Sequence, residues 1–169
     1  LFMLCNPYNP AGTVFTKAEL EQLGAFCLKH NLTICSDEIH ADLLLNSSAK
    51  HIPIASLNTD LEQKSITLMA PSKTFNIAGL QASFAVIPNA ELRKNFKRVM
   101  GSMVGGINLL GITALKAAYL EGDAWLSELR LYLAENLKMV QAFVARNPKL
   151  KRLDQEATCL TWIDAPALE

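Results

Sequence analysis

Lys73 stands in the run Ala70-Pro71-Ser72-Lys73-Thr74-Phe75-Asn76-Ile77-Ala78-Gly79-Leu80-Gln81, directly after an apolar stretch, Ser65 to Met69, that reads as a strand. A single lysine at a strand end among mostly uncharged neighbours is expected to be poorly solvated. Desolvation lowers an amine's pKa and raises the fraction present as the free nucleophile. A lysine that forms a Schiff base with an aldehyde cofactor needs that property. An ordinary exposed loop lysine is the competing reading, so the weight of Lys73 comes from what accompanies it.

Two further polar clusters do so. Asn6-Pro7-Tyr8-Asn9-Pro10-Ala11-Gly12-Thr13 follows the apolar run Leu1 to Cys5, and Ser36-Asp37-Glu38-Ile39-His40-Ala41-Asp42-Leu43 follows Leu32 to Cys35. Each cluster lies at the C-terminal end of an expected buried strand, the edge at which open α/β sheets bind ligands. Three such clusters in this order resemble the fold-type I pyridoxal-phosphate enzymes of the class I/II aminotransferase superfamily. The wording Ser-Asp-Glu-Ile-His, followed by Ser-Lys-Thr-Phe-Asn-Ile-Ala-Gly-Leu-Gln, is similar to the cystathionine β-lyase (C–S lyase) branch, and the resemblance covers nearly the whole chain.

The resemblance assigns roles. Lys73 would bind the aldehyde of pyridoxal 5'-phosphate and then serve as general base and acid at the substrate Cα. Asp37, which could otherwise be a helix N-cap, would pair with the pyridine nitrogen and keep it protonated, making the ring an electron sink. Asn9, in a pair of turn-forming Asn-Pro steps, would donate to the phenolic oxygen, while Gly12 allows close backbone approach. His40 stands where many aminotransferases carry a tyrosine, and either reaches that same oxygen or simply packs. Ser72 either contacts the phosphate or only shapes the loop. Two positions depart from the wider aminotransferase pattern: Gln81 replaces a frequent phosphate-binding arginine, and Ala70 replaces a serine. Tyr8, Glu38 and Asp42 read as supporting residues.

The elements that must hold these clusters follow from local pattern. Thr16-Lys17-Ala18-Glu19 is a capping box that starts a helix to about His30, with Asn31 as its stop. Leu32 to Ser36 is a buried strand, so strand, helix and strand form a βαβ unit with parallel pairing. Residues 44–64 read as a mixed polar connection with a helical turn near Ile54 to Leu57, and Ala82 to Ile87 as a further strand. Asn89 caps a helix from Ala90 to about Met100, Ile107 to Leu120 is an apolar helix, and Asp123 caps a third that runs to about Arg146 and ends at Asn147-Pro148. Leu150 to Leu153 and Thr158 to Asp164 read as strands. The expected fold is α/β: part of the three-layer, mostly parallel-sheet large domain of a pyridoxal-phosphate-dependent transferase over residues 1–146, then the start of a smaller C-terminal α+β domain over 147–169.

Composition excludes other classes. Half of the 169 residues are hydrophobic and 19% are charged, which describes a core-forming chain rather than a disordered one. Sixteen acidic residues balance sixteen basic ones, leaving no electrostatic argument for nucleic acid or an anionic membrane. No apolar run approaches a membrane span. Cys5, Cys27, Cys35 and Cys159 lack C-x-x-C spacing and read as free thiols of a cytoplasmic protein. His30 and His51 have no Cys, Asp or Glu partners at metal-ligand spacing, which argues against zinc.

The resemblance further implies that the section with the glycine-containing phosphate loop lies upstream of these residues, and that most of the C-terminal domain lies downstream. The expected activity is elimination of a thiol from an amino-acid thioether, with transamination as the alternative in the same family and homodimers as the usual assembly. A partial domain that folds or associates only with a partner is the reading from outside enzymology.

Overall fold

The computed structural model describes residues 1–166. Four strands, β1 (Phe2–Cys5), β2 (Ile34–Asp37), β3 (Ser65–Met69) and β4 (Phe84–Val86), form one sheet in that order. The β1–β2 and β2–β3 pairs are parallel, with Cys5 opposite Asp37 and Asp37 opposite Leu68, whereas β4 runs antiparallel to β3. The connection from β3 to β4 is a loop of 14 residues with only a 3-10 turn at Ala78–Leu80, so the chain reverses at the edge instead of crossing over through a helix.

Helix α1 (Lys17–Lys29) crosses from β1 to β2. The Thr16 hydroxyl accepts the Glu19 N–H while the Glu19 carboxylate accepts the Thr16 N–H, the expected capping box. The helix stops where Asn31 turns left-handed, φ 50°, a conformation asparagine tolerates better than most residues. Leu20 and Cys27 face inward and join Leu4, Ile34, Ile54 and Leu61 in the core beneath one face of the sheet.

Leu61 belongs to a helix that the polar reading of residues 44–64 missed, α2 (Thr59–Lys64). Asn58 caps it by accepting the Leu61 N–H at 2.9 Å. Its six residues are too few to display a helical period, and Leu61 is its only buried one.

Helices α3 (Ala90–Met103), α4 (Leu109–Glu121) and α5 (Asp123–Ala145) follow. Asn89 and Asn108 are the caps of α3 and α4, accepting the Leu92 and Gly111 N–H groups. Helix α3 continues through Gly101 beyond the expected end at Met100. Asp123 is not a cap: it is the first residue of α5, after Gly122, where its carboxylate favours the positive end of the helix dipole. No helix among the described residues is long and apolar enough to cross a membrane.

The last segment is shorter in strand than expected. A two-residue ladder pairs β5 (Lys151–Arg152) with β6 (Ile163–Asp164). Thr158 breaks the longer expected strand: its φ is 70°, and its hydroxyl accepts the Leu160 N–H instead. Residues 155–158 return to the first polar cluster, where the Glu156 and Ala157 N–H groups donate to the Gly12 carbonyl and the Glu156 carboxylate accepts the Val14 N–H.

Gly12 is required at that junction. Its φ is +75°, and a Cβ there would lie 2.6 Å from Gln155 Cγ and 2.7 Å from the Ala157 carbonyl oxygen. Gly12→Ala is expected to destabilise the protein by about 1–3 kcal/mol, seen as a lower urea midpoint. An unchanged midpoint would mean that the 155–158 return does not contribute to stability.

Candidate active site

The three clusters converge because the sheet is parallel where they occur. Cys5 and Asp37 are opposite one another at the ends of β1 and β2, so the chain leaves both strands on the same edge. The Asn6 N–H donates to the Asp37 carbonyl at 3.0 Å, and the Glu38 N–H to the Leu68 carbonyl at 3.0 Å, which extends the ladder into the loops. Asn9 sits on a turn closed by Gly12 N–H to Tyr8 carbonyl, 2.7 Å, and Tyr8 N–H to Thr13 carbonyl, 2.8 Å. Its side-chain amide meets His40 Nε2 at 3.3 Å, so the first cluster touches the second.

His40 is buried, and with Nε2 accepting from Asn9 its ring proton belongs on Nδ1. That nitrogen is buried without a hydrogen-bond partner. Burial pushes the imidazole below its ordinary 6.5; the Asp37 carboxylate opposes this and the Lys73 ammonium adds to it. Both charges therefore act at His40, which lies among the three clusters. Above about pH 6.5 the ring is neutral whether folded or unfolded. Below it the unfolded chain takes the proton first, so stability falls with falling pH until the lower folded value is passed. A proton NMR titration should give a His40 midpoint below 6.5; a midpoint at or above that value would contradict the buried neutral ring.

Asp37 ends β2 with an exposed carboxylate whose Oδ1 accepts the Ile39 N–H at 3.1 Å, so it does not cap a helix. A cavity of about 270 Å³ opens beside it, lined also by Ile39, Leu68, Ala70, Phe84 and Met100. A larger one of about 570 Å³, along Phe84, Phe96 and Val104, includes none of Asn9, Asp37, His40 or Lys73. Of the candidate residues, Asp37 alone lines the smaller cavity. Gln81 lines the larger cavity, and the neighbouring Arg93 guanidinium is committed to the Ile87 and Pro88 carbonyls.

Lys73 departs from expectation in one respect. Ala70, Pro71 and Thr74 are buried and Ser72 is half-buried, but Lys73 itself is exposed. Its loop turns back through Phe75 N–H to Pro71 carbonyl, 2.8 Å, and Ile77 N–H to Ser72 carbonyl, 3.2 Å, which directs the lysine outward from the packed side. Ala70, Pro71 and Thr74 take the packed side of the turn, and Lys73 faces out.

What fixes the loop was not legible locally. The Thr74 hydroxyl reaches the Asp42 carboxylate at 3.4 Å, and Arg130 on α5 donates to the Asp42 carbonyl at 2.6 Å. Phe75 stacks on Trp125 and meets Tyr119 edge-on, with ring centroids 5.7 and 5.9 Å apart. Burial, with Asp42 adding to it, pushes the Tyr119 hydroxyl up to about 12. Gly122 leaves room for the Phe75 ring, which a Cβ would strike. The signal in the sequence was Phe75, an aromatic two residues after the lysine.

Among the remaining groups, burial raises the Cys5 thiol above its ordinary range, with Asp37 adding to the effect, so it is held protonated rather than nucleophilic. The four cysteines are unpaired; Cys27 is buried and Cys159 exposed. His30 is exposed and packs on Phe26. His51, without a partner by spacing, meets Glu38. No group of three or more metal-binding side chains occurs among the described residues.

The donor set fits the cofactor implied by the resemblance. An amine, a carboxylate, an amide and an imidazole with an unpaired buried nitrogen surround one sheet edge. Those are the groups that an aldehyde, a ring nitrogen and a phenolic oxygen require.

Comparison with known proteins agrees. The aminotransferase class I and II family matches residues 1–169. The chain is 45% identical over 169 residues to cystathionine beta-lyase PatB of Bacillus subtilis, covering 99% of this chain and 43% of that protein. It superposes on the structure of OvoB with a TM-score of 0.96 and 51% identity, covering 98% of this chain and 44% of the other. Cystalysin from Treponema denticola, whose structure contains pyridoxal 5'-phosphate, gives 0.94 and 36%, with 98% and 42% covered. The chain thus spans under half the length of these relatives. With its mixed, mainly parallel sheet and the lysine, aspartate and asparagine clusters on one edge, the chain belongs to the aminotransferase class I and II family of pyridoxal-phosphate-dependent α/β enzymes.

Proposed function

We propose that the protein carrying this chain is a carbon–sulfur β-lyase that cleaves cystathionine, cysteine or a related amino-acid thioether to pyruvate, ammonia and a thiol. The observation that carries this reading is the placement of Asn9, Asp37, His40 and Lys73 after the C-terminal ends of three neighbouring parallel strands, with Asn9 touching His40 at 3.3 Å, in a chain 45% identical to a protein named cystathionine beta-lyase. Pyridoxal phosphate, when bound, supplies an aldehyde for amines and a cationic ring that draws electrons from the substrate Cα.

The residues divide the work by their chemistry. The Lys73 amine would hold the cofactor's aldehyde and would serve as the base that takes the substrate Cα proton. The Asp37 carboxylate keeps the ring nitrogen protonated. Asn9 would donate to the phenolic oxygen, and His40, whose Nε2 meets the Asn9 amide at 3.3 Å, would hold that amide in place. Ser72 would contact the phosphate. As the Cα–H electrons move inward, the Cβ–S bond breaks and sulfur leaves as thiolate. Water then releases the three-carbon remainder as pyruvate and ammonia.

The test is pyruvate formation from cystathionine by the whole natural protein with no keto acid present. Pyruvate together with thiol supports the lyase. Turnover that requires a keto acid, without thiol release, would make it the aminotransferase that the family also includes.

The 169-residue chain in isolation carries a second reading. Met3, Met103, Leu109 and Leu110 are each more than 70% exposed, a quantity of bare apolar surface that favours association. We infer that these surfaces are covered by further chain or by a second copy, in keeping with a homodimer, and that the isolated chain self-associates. A clean monomer on size-exclusion chromatography would contradict this.

A further inference from the structure

Glu38 lies between two residues of the site yet points away from both. Side chains alternate across a strand, so Ser36 and Glu38 face the covered side of the sheet while Asp37 faces the open one. The Glu38 side chain is 2% exposed, and each of its oxygens has a partner: Ser36 Oγ donates to Oε1 at 2.9 Å, and His51 Nε2 lies 2.8 Å from Oε2. A buried carboxylate lacking such partners is costly. A carboxylate can only accept, so His51 carries its proton on Nε2. His51 is itself 10% exposed and stands three residues before Ile54, which is fully buried in the core.

We propose that His51 is a positioning residue for the active site: through Glu38 it fixes the backbone of residues 37–40, and with it the directions of Asp37 and His40. This rests on the reading of Asp37 and His40 as cofactor-binding groups. Around Glu38 the backbone is bound on both sides, by its N–H to the Leu68 carbonyl and its carbonyl to the Ala41 N–H at 2.9 Å. The side-chain link to His51 supplies the third attachment, from the 44–58 connection. Loss of the Nε2–H leaves a buried carboxylate oxygen unpaired, and Glu38 must turn to find water. The segment then rotates, carrying Asp37 off the cavity and His40 off Asn9.

The test compares His51→Phe with His51→Gln in the whole natural protein. Glutamine retains an N–H donor of similar reach, whereas phenylalanine fills the space without one. The first readout needs no cofactor: the His40 midpoint by NMR in the apoprotein, with exposed His30 as internal control. Asp37, Lys73 and Asn9 are the groups that act on His40. His51→Phe should move the midpoint toward the ordinary value and leave His30 unchanged, while His51→Gln keeps the parent midpoint. The second readout is the pyridoxal-phosphate dissociation constant from absorbance titration, expected to rise about tenfold in His51→Phe and to stay near the parent value in His51→Gln.

An unmoved His40 midpoint in folded His51→Phe would overturn the proposal. Equal impairment in both variants would also overturn it, by showing that the imidazole matters as packing rather than as a donor. A parent protein that binds no cofactor would reject the reading of the site, while the apoprotein titration still decides the role of His51.

Discussion

Lys73→Ala is expected to abolish the single borohydride-reducible pyridoxal-phosphate adduct and to lower thioether cleavage by at least about 10⁴-fold, the upper end for a general acid–base group. Two roles vanish together, the covalent hold on the aldehyde and the proton transfer at Cα. Fold stability should change little, because the Lys73 side chain is exposed and the loop is held by buried Thr74, Pro71 and the Phe75 aromatic cluster. Peptide mass spectrometry after reduction is the measurement. One adduct on Lys73 in the parent and none in the variant is the expected pattern. Labels scattered over surface lysines in both would remove Lys73 from its assigned role.

Asp37→Asn should leave the adduct on Lys73 intact and reduce kcat by about 10²–10³-fold, the range for deleting one preorganised electrostatic partner. Asparagine is nearly isosteric, and its side-chain oxygen can still accept the Ile39 N–H that Oδ1 now accepts. The loop should therefore keep its shape while the charge facing the cofactor ring is lost. The informative comparison is kcat against KM with a thioether substrate. A drop in kcat with little change in KM identifies a group that acts as the reaction proceeds. A rise in KM alone would assign Asp37 to binding. Retained adduct also separates this variant from Lys73→Ala.

Both predictions depend on loops whose placement was partly readable in advance. The Thr16–Glu19 box, the Asn31 stop and the β3 strand follow from local chemistry, and each appears where expected. Because β1, β2 and β3 are parallel, the polar runs after them had to leave from one edge. The residue types at that edge suffice for the family resemblance. The polar composition of α2 concealed it, and Asp123 has the chemistry of a cap but the position of a first-turn residue.

Which side each loop residue faces, and what meets it there, follows from long-range packing. Lys73, among apolar neighbours in sequence, is exposed because its turn packs Pro71 and Thr74 inward and leaves the lysine outside. Glu38 and His51 are 13 residues apart, Asp42 and Thr74 are 32 apart, and Glu156 reaches Val14 across 142. Turns, caps and strands arise from interactions within a few residues, so most elements, their order and the chemistry carried at the strand ends were legible in the sequence, α2 and the broken last strand excepted. Partners separated by tens of residues meet only after the sheet has formed and the core beneath it has closed, and no local pattern specifies them.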